Sequence, residues 1–203
     1  MTFSKRIFDL VWALGLMVIL APIISGVFLA VLLIDGRPVF YVSERMKAPE
    51  QGFRLIKFRT MQIVKNDSGV SGGDKAARIT RTGAFLRRTR LDELPQLWNI
   101  LSGDMSFVGP RPPLRLYVAR CPEIYRTVLQ SRPGVTGLAS LYFHKHEASL
   151  LAPCASSEET DEVYVRRCVP RKARLDLIYQ RNRSLLLDVK ILARTLGVIF
   201  AHR

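Results

Sequence analysis

The chain has 203 residues, enough for one domain with a packed core, and nothing in this length demands a second folding unit. Lys and Arg number 31 against 17 acidic residues, a net charge of +14, so the expected partners are anionic: nucleic acid, a lipid surface or phosphorylated substrates. Cys121, Cys154 and Cys168 lack C-x-x-C spacing, which argues against a disulfide framework or a zinc site and is compatible with a reducing cytoplasm. His144 and His146 lack partner ligands at metal-site spacing, so we expect solvated surface histidines.

The first predicted element is an uncharged stretch from Val11 to Ile34. As one helix it would reach about 36 Å, at or beyond the roughly 30 Å hydrocarbon core of a bilayer, so we predict a membrane segment. Pro22 lies at its midpoint and predicts a bend or a break. Basic residues flank both ends of the stretch. Two arrangements therefore stay open, an ordinary kinked spanning helix and a re-entrant hairpin whose ends both face the cytoplasm.

The next segments predict strands and then a loop. Residues 38–62 predict a β-hairpin, because β-branched and aromatic residues flank a Pro-Glu-Gln-Gly turn. Residues 66–74 are rich in glycine and predict a mobile surface loop.

From residue 84 to 103 the pattern predicts a short basic helix, a turn at Leu91, and a second helix. We expect the second helix to open with Asp92 at its N-cap, to carry Pro95 in its first turn and to close at Gly103. Asp92 would then lie beside the free amides of a helix start.

The last third of the chain combines loops with a terminal helix. Residues 103–114 and 131–140 are dense in Gly and Pro and predict fixed, irregular binding loops. Residues 147–162 show no clear period and receive no assignment. Residues 184–203 predict a helix with an apolar face, suited either to a membrane interface or to core packing. The side chains on that face are Leu185, Val189, Leu192, Leu196 and Ile199.

The candidate chemistry lies at Asp92 and Glu93. Alone, such a pair is more typical of a solvated helix start than of a catalytic dyad. Basic residues on both sides of it, with Arg111 following in Pro-Arg-Pro, indicate phosphate chemistry instead. A carboxylate can attack phosphorus when cations neutralise the phosphate and hold it in line. Mg²⁺ often binds through one or two carboxylates plus substrate phosphate, so both carboxylates are candidate magnesium ligands.

Four motifs occur in a fixed order: KFRTM at 57–61, LDELPQLWN at 91–99, GDMSFVGPRP at 103–112 and RPGVTGLA at 132–139. Together they resemble the monotopic phosphoglycosyl transferases, the bacterial sugar transferase family, and specifically its small members. The resemblance implies a mostly helical α+β fold. It implies residues 1–36 as a membrane-anchoring segment, re-entrant at its proline, and residues 37–203 as a catalytic domain on the cytoplasmic face with amphipathic interfacial helices.

The resemblance also implies a two-step reaction. Asp92 attacks the β-phosphate of a UDP-sugar, expels UMP and carries a phosphosugar that polyprenyl phosphate then takes. Glu93 would position Mg²⁺ or assist proton transfer. The substrate-binding candidates are Arg111 with its flanking Pro110 and Pro112, and, as weaker candidates, Lys57, Arg59 and Arg87.

The implied partners are a UDP-sugar, a polyprenyl phosphate and membrane lipids, at the bacterial inner membrane. The oligomeric state stays open, and so does the identity of the sugar, because residues 140–144 depart from the family's Gln and Asn-Gly-Arg-Asn pattern. A nucleic-acid-binding protein would fit the charge, but no helix-turn-helix, RNP or zinc motif is present, so we expect no nucleic acid partner. A non-catalytic basic membrane scaffold and a single-displacement transferase are the remaining alternatives.

Overall fold

The structure is a computed structural model that describes residues 2–64 and 73–201. The α-helices are α1 (Phe3–Ile19), α2 (Ala21–Ala30), α3 (Arg81–Thr89), α4 (Gln96–Leu101), α5 (Arg115–Arg120), α6 (Pro122–Val128), α7 (Leu138–Leu151), α8 (Ser157–Val163), α9 (Val169–Asn182) and α10 (Leu185–Ala201). The strands are β1 (Phe40–Ala48), β2 (Gln51–Phe58), β3 (Ser106–Val108) and β4 (Gly134–Thr136). Short 3₁₀ turns cover Gly73–Arg78 and Leu91–Glu93, and π turns cover Val31–Asp35 and Tyr164–Cys168. The described residues are therefore mostly helical with two small sheets, which confirms the α+β prediction.

The N-terminal hydrophobic stretch is bent. α1 ends at Ile19, and α2 begins at Ala21 with Pro22 in its first turn, where the missing backbone donor costs nothing. Among the described residues, no unbroken helix has the length and apolarity to cross a bilayer alone. The pair Phe3–Ile19 and Ala21–Asp35, bent by 60°, passes that test when taken together.

The predicted hairpin is confirmed. β1 and β2 pair antiparallel from Phe40 opposite Phe58 to Ala48 opposite Gln51, with a register shift near the turn. Most of the glycine-rich loop predicted for 66–74 lies outside the described residues; its last two residues, Gly73 and Asp74, begin a 3₁₀ turn.

The start of the second helix was predicted wrongly. Asp92 lies within the 3₁₀ turn Leu91–Glu93, and α4 begins four residues later, at Gln96. The reason is that Arg90 adopts a left-handed conformation with φ of 59°, so the chain turns tightly before it can enter an α-helix. Gly103, with φ of 86°, follows the end of α4 as expected.

The two Gly- and Pro-rich stretches contain a small parallel sheet that the sequence did not predict. β3 pairs with β4, with Ser106 opposite Gly134 and Val108 opposite Thr136. A Cβ on Gly109 would come within 2.2 Å of the Arg132 carbonyl oxygen, so glycine lets the two stretches touch.

The C-terminal helix packs against the core along one side, whereas most of its predicted apolar face is exposed and a membrane interface there stays a prediction. Asp188 and Ile191 are buried, and Tyr179 donates a hydrogen bond to Asp188 Oδ1 at 2.7 Å. Leu185, Val189 and Leu196 of the predicted face are exposed, whereas Leu192 packs against the core. The side chain of Ile199 lies outside the described part of the chain.

Two main apolar clusters hold the molecule together. One is built mainly from α5 to α9, and Tyr117 and Cys168 are fully buried in it. The other joins α1, β2, α4, β3 and α10, and Ala13 and Ile100 are fully buried there. The N-terminal helix thus supplies part of the core on which the 91–99 motif is mounted.

Candidate active site

Glu93 is the centre of a cluster of cations. Its Oε1 accepts hydrogen bonds from Lys57 Nζ at 2.8 Å and from Arg111 Nη2 at 3.1 Å. Arg90 Nη1 lies 3.7 Å from the same oxygen. The Glu93 side chain is only 10% exposed, so three cations from three separate segments converge on one buried carboxylate. Charge-assisted bonds of this kind fix the orientation of their donors.

Asp92 lies beside the cluster without being bonded into it. The residue is 7% exposed, and its buried Oδ1 has no hydrogen-bond partner among the described residues. Buried polar atoms nearly always have a partner. An orphaned carboxylate oxygen next to a group of cations therefore marks a place where a substrate or an ion can bind.

The two carboxyl groups have pKa values shifted in opposite directions. Burial raises the pKa of Asp92 above its ordinary value, and the neighbouring Lys57 opposes this only in part. Burial would also raise the pKa of Glu93, but its three surrounding cations outweigh it and hold that pKa far below the usual range. Glu93 is thus the permanent anion that organises the cations. Neighbouring titratable groups whose pKa values are shifted in opposite directions are frequent at catalytic sites.

Lys57 reaches the dyad because β2 is fastened to α4. Asn99, buried at 2% exposure, accepts a hydrogen bond from the Ile56 amide at 3.1 Å and donates one to the Arg54 carbonyl at 2.8 Å. The Asn99 side chain takes the place of a neighbouring strand along this edge of β2. The last residue of the 91–99 motif therefore sets the position of the first residue of the 57–61 motif.

Arg111 stands on a loop that is held from two sides. The Pro110 carbonyl accepts a hydrogen bond from Gly134 at 2.8 Å, and the Pro113 carbonyl accepts one from Met46 at 2.9 Å. Pro110 and Pro112 are buried, while 38% of the Arg111 side chain is exposed. The prolines thus fix the backbone, and the guanidinium keeps part of its surface free for a ligand. The Glu93 carboxylate raises the pKa of Arg111, which stays charged.

The other two predicted cations have different surroundings. Arg87 donates to Thr60 Oγ1 at 2.9 Å, and the charge of Asp92 acts on it, so it lies near the dyad. Arg59 donates instead to the carbonyls of Asp35 and Gly36, at 2.5 and 2.8 Å. Its bonds fasten the end of the N-terminal segment to the domain, and its contact with substrate stays a prediction.

A cavity of about 220 Å³ adjoins the cluster. Arg90 and Arg111 form part of its lining, and Ser140, His144 and Glu147 of α7 and Lys172 of α9 form much of the rest. Sequence reasoning did not assign the α7 and α9 residues to the site, because only tertiary packing brings these two helices to the dyad. Two signals were available for α7: residues 140–144 depart from the family's pattern, and the four-residue spacing of Ser140 and His144 places both on one helix face.

The expectation of two solvated histidines is wrong for His144. That side chain is half-buried, lines the cavity, and has a buried Nδ1 without a hydrogen-bond partner among the described residues. His146 is exposed, and its Nε2 lies 3.4 Å from Arg171 Nη1.

The residues at the dyad suit a magnesium ion that shares its ligands with a substrate. No group of three or more His, Cys, Asp or Glu side chains able to hold a metal occurs within the described ranges. Mg²⁺ commonly uses only one or two carboxylates together with phosphate oxygens. The orphaned Asp92 Oδ1, with Glu93 next to it, offers this kind of oxygen donor.

The family model described as bacterial sugar transferase matches residues 1–202. The chain therefore belongs to the bacterial sugar transferase family, and the resemblance drawn from the four motifs is confirmed.

Several curated proteins are similar to this chain. It is 32% identical to the UDP-glucose:undecaprenyl-phosphate glucose-1-phosphate transferase of Klebsiella pneumoniae, a match over 98% of this chain and 40% of that protein. It is 31% identical to the UDP-N-acetylgalactosamine-undecaprenyl-phosphate N-acetylgalactosaminephosphotransferase of Aeromonas hydrophila, over 97% of this chain and 44% of that protein. It is 36% identical to the uncharacterized sugar transferase EpsL of Bacillus subtilis (strain 168), over 94% of this chain and 84% of that protein. The chain thus spans about two fifths of the length of the first two relatives.

Proposed function

We propose that this protein transfers a sugar 1-phosphate from a UDP-sugar to undecaprenyl, or another polyprenyl, phosphate and releases UMP. The reaction would be the first membrane step of glycoconjugate or exopolysaccharide assembly. The observation that carries the proposal is the buried, unpartnered oxygen of Asp92 beside three cations that Glu93 holds in place. The names of the relatives from Klebsiella and Aeromonas support the same substrate classes.

In the first step, an Asp92 carboxylate oxygen forms a bond to the β-phosphorus of the UDP-sugar. The bond from that phosphorus to the bridging oxygen breaks, and UMP leaves with the oxygen and its electron pair. Arg111, and Lys57 with it, would stabilise the negative charge on the phosphate oxygens. Because Glu93 already orients both cations, little reorganisation is needed when the substrate arrives.

In the second step, a phosphate oxygen of the polyprenyl phosphate attacks the same phosphorus. The bond to Asp92 breaks, the carboxylate is regenerated, and the product is a polyprenyl diphosphate sugar. Mg²⁺, held by Asp92 and Glu93 together with substrate oxygens, would neutralise part of the charge on the diphosphate.

We place the site at the cytoplasmic face of the bacterial inner membrane, with α1 and α2 as a re-entrant hairpin in the lipid. This placement is supported by the 60° bend and by the large apolar side chains exposed on both helices. Those side chains include Val11, Trp12, Leu14, Val18, Ile19, Ile23 and Leu29.

The function is tested by measuring UMP release from a panel of UDP-sugars, with Mg²⁺ and undecaprenyl phosphate in detergent. We expect release by the wild type, and a loss of about a thousandfold or more in Asp92→Asn. Asp104→Asn is the matched control, because Asp104 is a partly exposed aspartate paired with Lys47. Without lipid acceptor, the wild type should gain the mass of one phosphosugar, attached at Asp92.

Three outcomes would contradict this mechanism. Full turnover by Asp92→Asn would exclude the aspartate as nucleophile. Turnover without any trapped phosphosugar would favour a single displacement. Consumption of no nucleotide sugar by either form would favour a non-catalytic membrane scaffold.

The membrane arrangement has a separate test. One cysteine is introduced at Thr2 in one variant and at Arg37 in another. Both variants carry Cys121→Ser, and the two native cysteines that remain are buried. Each variant is labelled in spheroplasts with a membrane-impermeant maleimide. A hairpin predicts that both positions react only after permeabilisation. Reaction of one position from outside would establish a spanning helix instead.

A further inference from the structure

The cavity beside the dyad has a lining of two kinds. Arg90 and Arg111 lie within 3.7 Å of Glu93 Oε1 and also line the cavity. The cavity is therefore continuous with the position that a phosphate would occupy. The remaining polar lining comes from α7 and α9 and has no bond to the dyad.

Ser140, His144 and Glu147 are spaced at four and three residues along α7, so they share one helix face toward the cavity. Glu147 is already paired. Lys172 Nζ donates to its two oxygens at 3.0 and 2.9 Å, and the same ammonium group contacts the Tyr164 hydroxyl at 3.1 Å. The pair fixes the far end of the lining and leaves it close to neutral.

Ser140 and His144 keep unused hydrogen-bonding capacity. Within the described ranges, no hydrogen bond engages the Ser140 hydroxyl, and Nδ1 of His144 is buried without a partner. A hydroxyl and a neutral imidazole each offer both a donor and an acceptor. Sugar hydroxyls, which both donate and accept, match this combination.

The composition of the lining also indicates which part of a nucleotide sugar lies here. Proteins commonly hold nucleobases by stacking them on aromatic rings. Among the described residues that line the cavity, the only aromatic ring is the His144 imidazole; this lining has no Phe, Tyr or Trp, and its apolar side chains are Ala148 and Leu151. The cavity thus fits a hydroxyl-rich ring joined to the β-phosphate better than it fits uracil.

We propose that Ser140 and His144 form the sugar-binding wall of the site and discriminate between UDP-sugars by hydrogen bonds to the sugar hydroxyls. This inference rests on the proposed function and adds the two residues that select the sugar. It gives His144 a specificity role and leaves the chemical step to Asp92.

The test compares two histidines on one helix. UMP release is measured with UDP-glucose, UDP-galactose, UDP-N-acetylglucosamine and UDP-N-acetylgalactosamine for the wild type, His144→Ala, His144→Gln and the control His146→Ala. We expect His144→Ala to change the ratio of kcat/KM between the two best sugars by about tenfold or more. His144→Gln should restore part of that ratio because an amide retains a donor and an acceptor. His146→Ala should leave it unchanged.

Binding measurements keep this inference separate from the proposed function. The affinities of the same four UDP-sugars are measured by calorimetry in Asp92→Asn, with and without His144→Ala. A changed order of affinities would support the wall even if the wild type released no UMP, in which case only the proposed function would fail. An equal loss for all four sugars, or no change, would overturn the wall. Thermal unfolding of each variant excludes misfolding as the cause.

Discussion

Asp92 and Glu93 are adjacent in the chain, but their surroundings give the two carboxylates different hydrogen bonds. Lys57 and Arg111 donate to Glu93, whereas the Asp92 Oδ1 receives no bond from the described residues. The division arises because the 3₁₀ turn directs consecutive side chains to different neighbours. The resemblance identified the dyad, but only the structure shows that one carboxylate orients cations and the other is left with a free oxygen.

The raised pKa of Asp92 predicts an acid limb in the pH profile of kcat/KM. The nucleophile must be ionised, so activity should fall as the pH drops through a value above that of an ordinary aspartate. Lys57 lowers this pKa, and Lys57→Met should therefore move the limb to higher pH. Lys47→Met is the control, because Lys47 pairs with Asp104. A limb at the same pH in all three proteins would contradict the assignment.

Glu93→Gln should destabilise the protein by about 2–4 kcal/mol at neutral pH, because the Lys57 ammonium group, whose side chain is only 17% exposed, loses its counter-charge. The folded-state pKa of Glu93 lies below its unfolded value, so its stabilisation is present above about pH 4.3 and is lost as the pH falls through the folded-state pKa. Denaturant unfolding at neutral and acidic pH checks this. A deficit that persists undiminished in acid would show that the loss is not electrostatic.

At the scale of elements, the contact between β2 and α4 determines how the site is assembled. Asn99→Leu should cost about 2–4 kcal/mol, since the Ile56 amide and the Arg54 carbonyl would both lose their partner. The measurement is denaturant unfolding, with Asn182→Leu as control because Asn182 bonds only within its own helix. Equal losses in the two variants would argue against a joining role for Asn99.

Elements with strong local signals were predicted correctly from the sequence. The hairpin at 40–58 follows from its β-branched and aromatic residues, and α10 follows from its helical period. The start of α4 was not predictable, because the rule that places an aspartate at an N-cap carries no information about a left-handed arginine two residues earlier. The parallel pair β3 and β4 also has no local signal, since its register depends on contact between stretches about thirty residues apart.

At the scale of the whole molecule, the N-terminal helix and the catalytic region are joined directly. Arg6 donates to the carbonyls of Ile100 and Leu101, at 2.7 and 3.0 Å, and so caps the end of α4. Lys5 pairs with Asp188 of α10 at 2.5 Å. By composition, residues 1–36 are distinct from the rest of the chain. By packing they are not, because these contacts join them to α4 and α10. Hydropathy alone could not reveal such tertiary contacts.

Arg6→Met should lower stability by about 1–3 kcal/mol, because two carbonyls at the end of α4 would lose a charged donor. Thermal unfolding in detergent measures the change. Arg37→Met is the control, since no described hydrogen bond or salt bridge involves the Arg37 side chain. A fully stable Arg6→Met protein would show that the cap contributes little.

The burial of Ala13 beside Ile100 has a practical consequence for anyone who wants to shorten this protein at its N-terminus. Cutting the chain before residue 37 would strip away one wall of the apolar cluster beneath the 91–99 motif and leave Ile100 and Met105 open to water. A shortened chain should therefore aggregate, and purification strategies need to retain the hydrophobic N-terminal segment.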